Sequence, residues 1–216
     1  METGEKIARV ISIVLSNPVT DGFFALMIAT QEAIQRWGAS NPLVPLVGIA
    51  AGLIYGIIPY LGAIMLFLRK KSDLFVSKRE LRPRLFVFGL ISYLVGIVLF
   101  WRLGLMWLAS FSFVMLLGAI IYFLITCRWK ISIHVSGLVV PLTILSIWNS
   151  FYVVLGLLLV PALMWARVRL GTHTWPQVIV SAVVSLIVTY SGAFLFIPMY
   201  EKFALDFLQI SCTSSA

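Results

Sequence analysis

Residues 104–127 read GLMWLASFSFVMLLGAIIYFLITC, 24 positions without one charged side chain. At 1.5 Å of rise per residue such a run covers the roughly 30 Å hydrocarbon layer of a bilayer as a single helix. Five further apolar runs stand on either side of it, at 41–68, 85–101, 131–147, 151–165 and 178–199, separated by charge or by Gly and Pro. No strand or barrel alternation competes with them. The expected fold is therefore all-α, a polytopic membrane helix bundle with six transmembrane helices. A candidate seventh lies near the N-terminus, where residues 17–36 are mostly apolar but carry Asp21, Gln31 and Glu32. That segment reads either as a weak span or as a helix packed at the interface. The runs 131–147 and 151–165 are short for a span, so their ends enter the interface or they line a protein interior.

Composition agrees with this reading. Of 216 residues, 61% are hydrophobic and 11% charged, against roughly 45–50% and about 25% in an average soluble domain. Such an apolar excess excludes an ordinary soluble globule. The net charge of +8 belongs with membrane topology, and no nucleic-acid partner is expected. Cys127 and Cys212 form neither a CxxC nor a histidine-rich cluster, so no zinc or redox motif arises. The opening METGEKIARVISIVLS lacks a small-residue cleavage site, and the first membrane helix is expected to do the targeting. Residues 5–16 read as a short amphipathic helix on the membrane. The chain divides into an amphipathic helix with a weak membrane segment (1–40), a transmembrane core (41–200) and a C-terminal tail (201–216).

Each crossing changes side. If the segment 69–84 lies on side A, the turns at 128–130 and 166–177 share that side, and the turns near Leu103 and Asn149 lie on side B. Side A then receives seven Lys and Arg between Arg69 and Arg84, together with Arg128, Lys130, Arg167 and Arg169, which makes 11 of 16. The positive-inside rule places side A in the cytoplasm of a plasma or cell membrane. Cys127 and Cys212 fall on opposite sides, which excludes a disulfide within one chain.

Both histidines of the chain also fall on side A. His173 lies in ARVRLGTHTWPQ (166–177) and His134 in KISIHVSG (130–137). The third loop of that side contains KRELRPR (78–84). Two imidazoles among converging cations are what phosphoryl transfer without a metal requires. Fixed cations hold the non-bridging oxygens, one imidazole attacks phosphorus, and the other protonates the leaving alkoxide. Only Asp73 and Glu80 supply carboxylates in these loops, too few for a metal cage, and no metal or other cofactor is expected.

At these positions the chain resembles the type 2 phosphatidic acid phosphatase superfamily, integral membrane lipid phosphatases that share a catalytic core with vanadium haloperoxidases. The family's Ser-Arg, five residues, His, three residues, Asp corresponds to Ala166, Arg167, His173 and Gln177. Its Pro-Ser-Gly-His corresponds to Ile131, Ser132, Ile133 and His134. Its Lys, six residues, Arg-Pro corresponds to Arg82 and Pro83, with Phe75 at the lysine position. The resemblance implies that His173 is the nucleophile that becomes phosphohistidine and His134 the general acid. Arg82 and Arg167 would clamp phosphate and Ser132 would hydrogen-bond one of its oxygens. Lys78 and Lys130 are additional cations outside the motif matches, with Lys78 able to replace the missing lysine.

The main departure is Gln177 where the family has Asp. An amide orients the ring without supplying a countercharge, so His173 is expected to be a weaker nucleophile, and Gln177→Asp to raise activity. The implied activity is metal-independent hydrolysis of a lipid phosphomonoester or diphosphate, with an isoprenoid or glycerolipid chain remaining in the bilayer. Two other readings stay open at the same site, a lipid phosphotransferase and a catalytically silent lipid-binding protein. A b-type haem protein ligated by His134 and His173 would leave the arginines unexplained. Membrane lipids are the expected surroundings, and the sequence does not fix the oligomeric state.

Overall fold

The computed structural model describes residues 3–69, 83–148 and 151–213. Among these there is no strand, and the helices follow as α1 (Thr3–Val14), α2 (Asn17–Trp37), α3 (Leu43–Ala51), α4 (Leu61–Leu68), α5 (Pro83–Arg102), α6 (Met106–Arg128), α7 (Ile133–Trp148), α8 (Phe151–Arg169) and α9 (Trp175–Thr213). A π-helical stretch, Gly52–Ile57, and a 3-10 turn, Ile58–Tyr60, join α3 to α4. Pro59 accounts for the irregularity, because it lacks an N–H and crowds the preceding turn.

Four stretches are long and apolar enough to cross a bilayer: Leu43–Leu68, Met106–Arg128, Phe151–Arg169 and Trp175–Met199. The pair α1 and α2, bent by 45°, makes a fifth if taken as one span. Two apolar helices, Phe86–Arg102 and Ile133–Trp148, are shorter. The length of α7 has a physical reason, since Val135 and every residue from Gly137 to Leu145 are buried. It is lined by protein along most of its course, so lipid thickness does not set its extent. The helix α8 runs beyond the apolar run 151–165 to Arg169, and α9 continues through Thr213, so the segment read as a tail is helical in its described part.

The distribution of polarity is that of a bundle with an apolar solvent outside. Leu157 and Phe194 are 70% and 71% exposed, whereas Ser92, Ser110, Ser112, Ser181, Ser185 and Thr189 are buried. Hydroxyls form part of the glue between helices, as expected where apolar burial gives no preference between neighbour and lipid. Tyr122 of α6 donates to the Ser181 carbonyl of α9 at 2.8 Å and lies 2.7 Å from Ser185 Oγ.

The acidic residues that made 17–36 ambiguous lie inside the bundle. Asp21 and Glu32 are both buried. Glu32 caps α6 from another helix: its two carboxylate oxygens accept the backbone N–H groups of Trp107 and Leu108 at 2.8 and 2.9 Å. Those donors belong to the first turn of α6, where helix geometry leaves N–H groups without an internal partner and the helix dipole favours an anion. At its other end α2 is tied to the start of α7, where Asn17 Nδ2 donates to the Ile133 carbonyl at 2.9 Å. Midway, Gly22 and Gly56 allow α2 to touch the irregular turn at backbone distance. A Cβ on either glycine would lie 3.1 to 3.2 Å from the Cα of the other.

Candidate functional site

The end of α8 explains the spacing between Arg167 and His173. Helix α8 closes in a Schellman motif in which Thr172 N–H donates to the Arg167 carbonyl at 3.2 Å and Gly171 N–H to the Val168 carbonyl at 2.9 Å. Gly171 takes φ +64°, the left-handed conformation that this motif needs. The His173 N–H reaches the same Arg167 carbonyl at 3.3 Å, and Thr172 Oγ1 donates to it at 2.8 Å. Six residues of chain thus return His173 to the backbone of Arg167.

Helix α9 starts immediately afterwards with Thr174-Trp175-Pro176-Gln177, a threonine followed three residues later by glutamine, with proline in the first turn. Thr174 N–H donates to Gln177 Oε1 at 3.1 Å. The same oxygen lies 3.2 Å from His173 Nδ1. Because Oε1 receives a backbone N–H it is an acceptor, so the neutral ring that bonds to it carries its proton on Nδ1 and its lone pair on Nε2. Gln177 therefore closes the helix end and sets the histidine tautomer with one atom.

This geometry redirects the substitution expected from sequence. An Asp at 177 reaches about 1.5 Å less far and cannot keep both bonds, whereas Glu keeps the length and adds the countercharge. For the nucleophile that the resemblance implies, Gln177→Glu is expected to retain the cap and move the acidic limb of the rate profile to higher pH, since a stabilised imidazolium gives up its proton later. Full pH profiles of the Glu, Asp and Ala variants check this. An Asp variant faster than the Glu variant would contradict the bridging role.

Arg167 is buried in the last turn of α8. Its Nη1 donates to Ser12 Oγ of α1 at 2.7 Å. The amphipathic helix read at 5–16 packs on α8 through Ala8 and Ser12, both buried, while Ile7, Val10, Ile13 and Val14 face outward. Ser12 was not among the residues singled out from sequence; the amphipathic period marked the helix but not its partner.

The start of α7 lies beside the first turns of α9. Ser181, one helical turn after Gln177, donates through Oγ to the Ser132 carbonyl at 2.6 Å. Ser132 is fully buried, and its own Oγ has no hydrogen-bond partner among the described residues. His134 and Lys130 are half-buried, the former in the first turn of α7 and the latter in the preceding turn. Direct hydrogen bonds thus join His173 to Gln177 and to the Arg167 backbone, and the Ser132–Ser181 bond brings the second motif alongside. Lys78 and Arg82 lie outside the described residues, as do Asp73 and Glu80. No group of three or more His, Cys, Asp or Glu among the described residues could hold a metal ion. No family model, no curated protein and no solved structure matches the chain.

Proposed function

We propose that the chain is an integral membrane lipid phosphatase that hydrolyses a phosphomonoester or diphosphate of an isoprenoid or glycerolipid without a metal. In this reading Nε2 of His173 attacks phosphorus, the bond to the leaving oxygen breaks, and His134 gives that oxygen a proton. Water then attacks the phosphohistidine and releases phosphate. Arg167, with Arg82, Lys78 and Lys130 as further cations and Ser132 as a donor, meets the charge on the non-bridging oxygens. The observation that carries the reading is the bond between His173 Nδ1 and Gln177 Oε1, which leaves the lone pair on Nε2, six residues from a buried arginine.

The test is phosphate release by detergent-purified protein from a panel of lipid phosphates, with EDTA present throughout. Release at a rate unchanged by EDTA is expected; activity lost with chelator and restored by magnesium would overturn the metal-independent mechanism.

The same proposal includes six or seven crossings, α5 and α7 among them, and a site on the cytoplasmic face of a plasma or cell membrane. The excess of Lys and Arg on side A supports that orientation. Single cysteines at Ser72 and Ser214, in a background lacking Cys127 and Cys212, report it through an impermeant maleimide on intact cells. Labelling at 214 alone is expected, and labelling at 72 alone would reverse the orientation.

A further inference from the structure

Between α2, the irregular turn at Pro59 and helices α5, α6 and α7 lies a cavity of about 120 Å3, where roughly 10–15 Å3 would admit a single water. Most of its wall is apolar or small, as at Ala63, Phe86, Gly118 and Val140. One part is polar, and two of its oxygens stand without a partner among the described residues although the Tyr93 hydroxyl also lines it. Asp21 is 1% exposed and Asn17 5%, yet Asp21 Oδ1 and Asn17 Oδ1 have no hydrogen-bond partner among the described residues. The other oxygen of Asp21 accepts from the Tyr60 hydroxyl at 2.5 Å. No lining residue carries a positive charge.

Asn17 and Asp21 are four apart on α2 and share a face. Asn17 is held in place from two directions, by its bond to the Ile133 carbonyl and by the absence of a side chain at Gly137, where a Cβ would stand 2.4 Å from the amide. Buried acceptors without donors are costly, and an acidic side chain inside a membrane bundle is rare outside functional sites. A ligand that brings donors satisfies both oxygens. The polar end adjoins Ile133, Ser136 and Gly137, on the first turns of α7 that carry His134. The apolar remainder suits the start of a hydrocarbon chain.

We infer that this cavity selects lipid phosphates bearing a hydroxyl or ammonium group a few atoms from phosphorus, with Asp21 and Asn17 accepting its hydrogen bonds. This rests on the phosphatase reading and narrows its substrate class, since isoprenoid phosphates carry no such donor. Asp21 acts here as a specificity residue, apart from the reacting atoms.

The experiment measures kcat/KM of the full chain for four substrates: a sphingoid base 1-phosphate (ammonium and hydroxyl), lysophosphatidate (hydroxyl), phosphatidate and a polyprenyl phosphate (neither). At least tenfold preference for a donor-bearing lipid is expected. Preference for lysophosphatidate as well as the sphingoid lipid identifies the hydroxyl, and preference for the sphingoid lipid alone the ammonium. The ratio should fall to within about twofold of unity in Asp21→Ala and to an intermediate value in the isosteric Asp21→Asn, which retains one acceptor, each checked for a monodisperse elution profile. Equal use of all four lipids by the unaltered chain, as when water alone fills the cavity, would overturn the inference. So would a preference that survives Asp21→Ala.

If none of the four is hydrolysed, the phosphatase reading fails and binding decides the cavity separately. Saturable quenching of tryptophan fluorescence by a phosphate-free sphingoid base or monoacylglycerol, weakened at least tenfold in Asp21→Ala, would support the site. Absence of saturable binding would overturn it.

Discussion

His173→Ala is expected to reduce phosphate release by at least a thousandfold, to the background of the detergent blank. In the proposed mechanism no other group forms the covalent intermediate, and loss of a nucleophile removes the pathway rather than one contribution to it. His134→Ala is expected to act differently. A proton donor matters in proportion to the basicity of the leaving oxygen, so this variant should be slow on lipid monoesters and recover most of its rate on an aryl phosphate. The pair of substitutions measured on both substrates separates the two roles. Equal losses on both substrates for both variants would reject the division of labour, and full activity of His173→Ala would reject the site.

The second large effect concerns stability. Glu32→Ala removes the anion that accepts the N–H groups of Trp107 and Leu108. Leu108 is fully buried, so water cannot replace the lost acceptor at that position. Losing a cap and leaving a buried donor unsatisfied costs about 3 kcal/mol. For a chain of this size that corresponds to a fall of roughly 6–12 °C in Tm. Glu32→Gln retains one acceptor and should fall between the two. Thermal unfolding in detergent followed by circular dichroism measures this, and an Ala variant melting within about 2 °C of the parent would show that α2 does not hold the start of α6.

These two residues mark how much could be read from the chain alone. The six apolar runs coincide with the stretches that hold α3 to α9, because apolar length is a property that a short window of sequence displays directly, and four of these stretches are long and apolar enough to cross a bilayer. Charge misplaces their ends. The run 151–165 stops before Arg167 and Arg169, but α8 carries both arginines and ends at Arg169, because the left-handed turn at Gly171, and not the charge, terminates it. The relation of Arg167, His173 and Gln177 is local, fixed by a helix end and a helix start, and so it is legible as spacing.

The bonds that place α1 and α2 are not local. Ser12 and Arg167 are 155 residues apart, Asn17 and Ile133 116, and Glu32 and Trp107 75. Nothing in the neighbourhood of Asp21 or Glu32 in sequence distinguishes a buried carboxylate that caps a distant helix from one that lies at an interface. In mostly apolar surroundings these two acidic residues made a span doubtful, and they are informative in the fold because each is placed against groups supplied by elements farther along the chain.

In the proposed mechanism phosphorus passes through His173. The most direct measurement is rapid acid-free quenching of the purified protein with a ³²P-labelled lipid phosphate in EDTA, followed by denaturing electrophoresis at alkaline pH. A labelled chain is expected, its label stable in base, lost in acid and absent from His173→Ala. Turnover with no labelled protein at any quench time, or label that persists in His173→Ala, would contradict it.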